Sequence, residues 1–252
     1  MDRRLRKTLI ISDNLKLCEA LRNIAARQGL CEFLDFRCSP NSPEYVKSLP
    51  YIRPIDLKNL PPNLLDSYEL VISAHCKQLF PKSVYARVEC LNIHPGYNPE
   101  TRGWYPQVFA LLKGLRVGLT VHRIDAMLDH GPIVYRQEVH AQNWDTSRTL
   151  YCRIVDSEIQ YLEMNLRKLL AGTYECNPME HEGSVFLRRD FEEVCLIDLE
   201  EKGSFRDFYN RLRALSFEGF NNAYFIDEAS GKKVYLELRI SPDEPQAQPS
   251  ER

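Results

Sequence analysis

The sequence predicts an α/β fold, in which helices cover both faces of a mostly parallel sheet and a small C-terminal helix-plus-hairpin appendage follows. Up to about residue 185, short apolar runs alternate with longer amphipathic segments, as strands alternate with crossover helices. Beyond that point the elements are shorter and mix charged with aromatic residues. Because 44% of the 252 residues are hydrophobic, the chain can bury a sizeable core.

The predicted strands are short apolar or alternating runs bounded by polar and turn-forming residues. They cover residues 8–12, 30–36, 70–72, 87–94, 116–124 and 133–139. Between the second and third strands, residues 39–62 are rich in proline and show little periodicity. That stretch indicates a loop with short pieces of structure.

The predicted helices have apolar positions three and four residues apart. Cap-forming residues precede the first and third helices, and a glycine closes each of them. The three helices cover residues 13–29, 104–112 and 145–172. In the appendage, a helical stretch at 205–215 precedes two strand-like runs, which the turn Ser230-Gly231-Lys232 joins as a hairpin.

Composition narrows the function classes. The net charge of −2 shows no basic excess, so a nucleic-acid partner is not expected. The apolar run at residues 9–11 is too short for a signal peptide, and no segment approaches the ~20 apolar residues that span a membrane. We therefore expect a cytoplasmic protein without a membrane partner. Eight cysteines without a CxxC pair are interpreted as reduced, mostly buried thiols.

The densest group of reactive side chains lies at the end of the strand 87–94. Asn92 and His94 are two residues apart, so their side chains share one face, and Pro95-Gly96 then turns the chain away. An imidazole beside a carboxamide suits acyl chemistry, because both can donate to a developing oxyanion and the imidazole can also move a proton. The alternative is that both side chains satisfy loop backbone groups.

A second group, residues 122–131, follows the strand 116–124 and is therefore expected at the carboxyl edge of the sheet. Gly131 would permit a backbone conformation that brings Asp129 inward, where its carboxylate could orient a histidine or a water. His122 and His130 could instead suggest a metal. Their spacing matches no standard zinc pattern, so we expect no metal.

A third group, residues 73–80, follows the strand at Val71, where contacts to a cofactor are expected. Cys76 could be a nucleophile paired with His75. Adjacent residues on a strand point to opposite faces, which argues against that pair.

These three groups resemble the folate-dependent formyltransferases. The resemblance rests on residues 91–96, 102–107 and 128–131, where Asn92, His94 and Asp129 match the family's Asn, His and Asp signature. A finer resemblance, to the sugar N-formyltransferases that act on dTDP-linked amino sugars, rests on residues 75–78, 102–107, 213–216 and 222–225.

The resemblance implies a Rossmann-like fold of the formyltransferase type. Residues 1–185 would form the catalytic domain, residues 186–240 a C-terminal subdomain that completes the nucleotide-sugar site, and residues 241–252 a disordered tail. It also implies a homodimer and a role in lipopolysaccharide O-antigen biosynthesis.

The implied co-substrate is 10-formyltetrahydrofolate. Asn92 and a protonated His94 would stabilise the oxyanion, or His94 would take the amine proton, and Asp129 would position His94. The residues implied to contact the folate are Cys76, Lys77, Gln78, Leu79, Phe80, Ile124, Asp125 and Asp129.

The implied acceptor is a dTDP-linked amino-dideoxyhexose, with dTDP-4-amino-4,6-dideoxyglucose as the first expectation. A 3-amino sugar or a non-sugar amine remains the alternative. Tyr224 would stack on the thymine, although it could equally belong to the core of the appendage. The residues implied to contact the acceptor are Asn14, Lys77, Arg102, Trp104, Tyr105, Asn221, Asn222 and Tyr224.

Overall fold

The structure is a computed structural model that describes residues 4–243. Its helices are α1 Leu15–Gln28, α2 Glu44–Lys47, α3 Lys82–Tyr85, α4 Pro106–Lys113, α5 Ser147–Ala171, α6 Arg188–Cys195 and α7 Phe205–Leu215. Its strands are β1 Thr8–Ser12, β2 Leu34–Cys38, β3 Ile52–Pro54, β4 Leu70–Ala74, β5 Glu89–His94, β6 Arg102–Gly103, β7 Gly118–Arg123, β8 Ile133–Glu138, β9 Val185–Phe186, β10 Ala223–Ile226 and β11 Lys233–Leu236.

Seven strands form the main sheet, in the order β3-β2-β1-β4-β5-β7-β8. The first five strands in this order, from β3 at the edge to β5, pair in parallel. The strand β7 is antiparallel to β5, and β8 is antiparallel to β7. The hairpin β10–β11 follows the last helices. The predicted α/β fold with a mostly parallel sheet and a small C-terminal appendage is confirmed.

Alternate residues of the central strands pack into separate apolar layers on the two faces of the sheet. Ile10 of β1 packs with α1 and α5, whereas Leu9 and Ile11 pack on the other face. Both helices carry the predicted ends: Asn14 caps α1, and Thr146 caps α5 with a capping box. Within residues 4–243, no helix is long and apolar enough to cross a membrane.

Several predicted elements begin later than expected, and two of the delays have a local cause. A 3₁₀ turn at Cys31–Phe33 delays β2 to Leu34. The helix expected from residue 104 begins at Pro106, because Tyr105 has a left-handed backbone (φ 52°) and ends the preceding loop. Trp104 and Tyr105 therefore lie on the loop that precedes α4.

The C-terminal segment, residues 186–240, is the predicted appendage. It packs against the first turns of α5 and along α4. Their shared apolar cluster includes Val108, Leu150, Cys195, Leu215 and Ala223. The predicted domain boundary between residues 185 and 186 falls inside β9, which pairs with β6, and the boundary stays a prediction. Most of the predicted disordered tail, residues 244–252, lies outside the described residues.

The prediction that residues 122–131 lie at the carboxyl edge because they follow a strand was wrong in its reasoning. Since β7 is antiparallel, its last residue, Arg123, pairs with Leu91 near the start of β5. Asp129 reaches His94 because the loop after β7 folds back along that strand. The hydrogen bond from the Arg123 N–H to the Pro132 carbonyl holds the returning loop against the end of β7.

The role predicted for Gly131 is also corrected. The left-handed residue in this loop is Asp129 itself, with φ of 45°. Gly131 is needed for close approach instead, because a Cβ there would lie 1.9 Å from the carbonyl oxygen of Arg123.

Gly131→Ala should therefore destabilise the fold by about 1–3 kcal/mol, since backbone must move to accommodate the methyl group. Gly203→Ala is the matched control, because its Cβ would meet its nearest atom at 3.5 Å, an ordinary contact. Its effect should stay within about 0.5 kcal/mol. Urea unfolding measures both, and equal stabilities of the two variants would contradict this account of the loop.

Candidate active site

One cavity of about 740 Å³ opens where the carboxyl ends of β4 and β5 face the loop after β7, α5 and the C-terminal segment. Most of the predicted site residues line it, although they come from distant parts of the sequence. Those residues are Cys76, Lys77, Gln78, Leu79, Phe80, Asn92, His94, Trp104, Tyr105, Ile124, Asp125, Asp129 and Asn222.

Asp129 lies at the centre of the reactive cluster, and its side chain is 11% exposed. Its Oδ1 accepts from the Asn92 side-chain amide at 2.9 Å, and its Oδ2 accepts from the Gly103 backbone N–H at 3.0 Å. Oδ2 also lies 3.6 Å from His94 Nδ1, and Oδ1 lies 3.4 Å from His122 Nε2. The structure thus brings together the three residues predicted to be catalytic.

The charges of this cluster follow from burial and from the neighbouring side chains. Burial alone would raise the pKa of Asp129, but His94, His122 and the Gly103 N–H together hold that pKa well below its usual range. Burial lowers the pKa of His94, and the charge of Asp129 only partly opposes that effect. Near neutral pH, a carboxylate therefore faces a neutral imidazole.

The hydrogen bond of Nε2, the ring nitrogen that does not face Asp129, sets the tautomer of His94. Nε2 lies 3.0 Å from the Thr101 carbonyl oxygen, which can only accept, so the proton of the neutral ring is on Nε2. Nδ1 is then unprotonated and can accept a proton. Any imidazolium formed at this position would be stabilised by the carboxylate of Asp129.

The backbone around Asp129 is held by two buried side chains. The Arg102 guanidinium donates to the Leu128 carbonyl at 2.8 Å and to the Glu182 carbonyl at 2.8 Å. The Asn98 side chain donates to the carbonyl of Asp129 at 2.8 Å. Arg102 was expected to contact the acceptor. Its guanidinium is buried and bonded to the backbone of the Asp129 loop, which it positions, and its predicted contact with the acceptor stays untested.

Three other residues expected to contact the acceptor also lie away from the cavity wall. Asn14 caps α1 and donates to the Tyr151 hydroxyl. Tyr224 packs in the core of the appendage, with the Lys233 ammonium 4.1 Å from its ring centroid. Asn221 is exposed on the connection that precedes β10. Their predicted contacts with the acceptor stay untested.

Cys76 lines the cavity, but its thiol is poorly suited to nucleophilic attack. Burial raises the pKa of Cys76 to about 12, so the thiolate is disfavoured. The sequence argument against a pair with His75 used strand alternation, which does not apply, because His75 follows β4 and has φ of 60°. Burial, not strand geometry, is the reason.

Sequence reasoning missed part of the cavity wall. The sequence pattern assigned Tyr151 only to the apolar stripe of α5. The charged residue Glu158, seven positions later on the same helix face, could have indicated a polar site there. The aromatic wall of the C-terminal segment carries no motif that marks it. The missed lining residues include Ser147, Tyr151, Phe191, Phe217 and Phe220.

Within residues 4–243, no group of three or more His, Cys, Asp or Glu side chains is arranged to hold a metal ion. The expectation that no metal is needed stays a prediction.

Comparison with known proteins identifies relatives across nearly the whole chain. Residues 63–166 match the formyl transferase family, and residues 190–242 match the N-formyltransferase dimerization C-terminal domain. The dTDP-4-amino-4,6-dideoxyglucose formyltransferase of Mycobacterium tuberculosis is 38% identical over 237 residues, which cover 94% of this chain and 97% of that protein.

Two solved structures share the fold closely. A sugar N-formyltransferase from a Shewanella species superposes with a TM-score of 0.88 at 35% identity, covering 94% of this chain and 98% of the other. A 4-N formyltransferase from Francisella tularensis superposes with a TM-score of 0.87 at 32% identity, covering 94% and 99% of the two chains.

The electrostatics of the cluster make a measurable prediction. The His94 imidazole should titrate below the ordinary histidine value of about 6.5, and Asp129→Asn should lower its pKa further, because the variant removes the negative charge that favours the imidazolium. Ring ¹⁵N shifts followed against pH report this titration, with His94→Asn used for assignment. An increase in the His94 pKa in the Asp129 variant would contradict the assigned arrangement.

Proposed function

Because the chain belongs to the sugar N-formyltransferase family of enzymes, we propose that it transfers a formyl group from 10-formyltetrahydrofolate to a dTDP-linked amino-dideoxyhexose. The proposed acceptor is dTDP-4-amino-4,6-dideoxyglucose. The 38% identity to an enzyme named for that substrate and the 32% identity to a 4-N formyltransferase support the 4-amino position.

The observation that carries the proposal is the placement of Asn92, His94 and Asp129 in a cavity with two different walls. Cys76, Phe80 and Ile124 belong to the apolar layer on one face of the sheet. The opposite wall comes from α5 and the C-terminal segment. A carrier on the first wall and an acceptor on the second would meet at the reactive cluster.

The first wall fits a flat, partly apolar ring system such as a pterin. Leu79 and Met127 line the cavity and are 69% and 49% exposed, so covering them would remove apolar surface from water. Residues 76–80 and 124–128 line this part of the cavity. The carrier supplies the activated formyl group when it is bound.

Neutral His94 fits the role of the base. As the acceptor amine forms its bond to the formyl carbon, Nδ1 takes the amine proton and the carboxylate of Asp129 stabilises the resulting imidazolium. Asn92 donates one amide hydrogen to Asp129 Oδ1, and its amide nitrogen also lies 3.3 Å from His122 Nε2. Its second amide hydrogen is therefore shared between His122 and the developing oxyanion. The proton then passes to the departing nitrogen of the carrier as the old C–N bond breaks.

Of the two roles that the sequence leaves open for His94, the depressed pKa favours proton acceptance over a standing positive charge. An ionised Asp129 serves both stages, because it orients the Asn92 amide before attack and compensates the imidazolium after it.

A homodimer is the proposed assembly. The C-terminal segment carries a group of exposed apolar side chains, and burying them against a second copy would remove that surface from water. The match to a dimerization domain over residues 190–242 supports this segment as the interface. The exposed side chains outside the cavity are Leu196, Leu199, Phe205, Ile226, Val234 and Tyr235.

Replacing either member of the acid–base pair should abolish most of the turnover without unfolding the protein. His94→Asn and Asp129→Asn should each lower kcat by about 10²–10³-fold, since each removes a proton acceptor or its counter-charge. His140→Asn is the matched control, because His140 is 79% exposed and lies outside the cavity. Steady-state kinetics near wild type for either site variant would refute the assignment.

The position of the amine gives a second prediction. With 10-formyltetrahydrofolate as donor, kcat/KM should be at least about tenfold higher for dTDP-4-amino-4,6-dideoxyglucose than for a 3-amino isomer, because remote binding of the nucleotide fixes where the amine lies. Preference for the 3-amino sugar would overturn the regiochemistry alone. Turnover of another amine and of no nucleotide sugar would remove the proposed acceptor class.

A further inference from the structure

A buried hydrogen-bonded chain leads from the core to the acceptor wall of the cavity. Glu158 has no exposed surface, and its Oε1 lies 2.9 Å from His75 Nε2. The other ring nitrogen, His75 Nδ1, lies 2.8 Å from the Tyr151 hydroxyl, and both His75 and Tyr151 line the cavity. Tyr151 and Glu158 are two turns apart on α5, so they share one face.

Such a chain is costly for stability alone. The same helix face otherwise carries apolar residues such as Ile154 and Leu162, which pack in the core. Burying a carboxylate there is unfavourable unless it is paired, and an apolar residue of similar volume is often at least as stabilising as a buried ion pair. We therefore expect the hydrogen-bonded chain from Glu158 to Tyr151 to have a function in the site.

The hydrogen bonds of the chain have a fixed direction. Asn14 Oδ1 accepts from the Leu17 N–H, so the Asn14 amide nitrogen points the other way and donates to the Tyr151 hydroxyl at 2.9 Å. In the tautomer whose Nε2 proton is donated to Glu158, Nδ1 is the acceptor for the Tyr151 hydroxyl. The hydrogen of the Tyr151 hydroxyl is thereby directed to His75.

One lone pair of the Tyr151 oxygen remains for a ligand. Burial raises the pKa of Tyr151, so the phenol keeps its proton and stays bonded to His75. The ring packs beside Phe217, with their centroids 5.9 Å apart, on the wall that comes from α5 and the C-terminal segment. Because Tyr151 and His75 both line the cavity, the hydroxyl between them lies at its wall, with one lone pair left to accept a hydrogen bond.

We propose that Tyr151 is a specificity-determining residue that accepts a hydrogen bond from an N–H or O–H group of the sugar, and that His75 and Glu158 are positioning residues that hold its hydroxyl in this orientation. The inference rests on the proposed nucleotide-sugar acceptor. It adds a side chain that reads the sugar and that is separate from Asn92, His94 and Asp129.

The test is calorimetric binding of dTDP and of dTDP-4-amino-4,6-dideoxyglucose to the full chain. Tyr151→Phe should raise Kd for the amino sugar about tenfold, as expected for one lost hydrogen bond, and leave Kd for dTDP within about twofold. Tyr135→Phe is the matched control, because its hydroxyl bonds Gln137 outside the cavity. Equal weakening of both ligands by Tyr151→Phe, or of neither, would overturn the proposal.

The positioning residues are tested by conservative rescue. Glu158→Leu should weaken binding of the amino sugar as Tyr151→Phe does, whereas Glu158→Gln should restore it, since its side-chain oxygen still accepts from His75. Failure of Glu158→Gln to restore binding in a protein that melts as wild type would contradict the role of Glu158.

An analogue without the sugar hydroxyl beside the amine identifies the donor. If that hydroxyl is the donor, wild type and Tyr151→Phe should bind the analogue equally; if the amine is the donor, the tenfold difference should persist. Wild type that binds the amino sugar, but without any effect of Tyr151→Phe, would defeat this inference alone. Wild type that binds no dTDP-linked sugar would defeat the proposed acceptor as well.

Discussion

The ionised carboxylate of Asp129 is the group on which the rest of the site depends. It is buried beside two histidines, and an amide and a backbone N–H donate to its two oxygens. Without those partners, burial would raise the pKa of Asp129. With them, the carboxylate orients Asn92 and supplies a counter-charge for a proton on His94. A neutral imidazole and a fixed negative charge are thereby placed together at the floor of the cavity.

The fold provides that carboxylate through a change of strand direction. Five parallel strands end at the usual edge of the sheet, and β7 then pairs antiparallel with β5, so the chain leaves β7 at the opposite edge. The loop folds back, and the buried side chains of Arg102 and Asn98 fix its carbonyl groups. Close approach of Gly131 to β7 completes the return. The position of the site is therefore a property of the loop as much as of the sheet.

The order of helices and strands was predictable because it depends on the spacing of apolar residues and on capping residues, both of which are local features of the sequence. Asn14, Gly29, Thr146 and Gly172 mark helix ends whatever the tertiary structure. The direction of β7 was not predictable, since an antiparallel and a parallel strand have similar alternation. The burial of Arg102 and the chain from Glu158 to Tyr151 depend on contacts between residues 26 to 83 positions apart, which no local pattern records.

The central claim is that this cluster moves a formyl group from a folate carrier to a sugar amine. The most direct measurement is a single turnover with ¹³C-formyl-labelled 10-formyltetrahydrofolate and excess dTDP-4-amino-4,6-dideoxyglucose, followed by NMR. The account predicts that the label appears as a formamide on the sugar nitrogen, in step with the release of tetrahydrofolate. Label released as formate, or retained on the carrier while the protein binds both ligands, would contradict it.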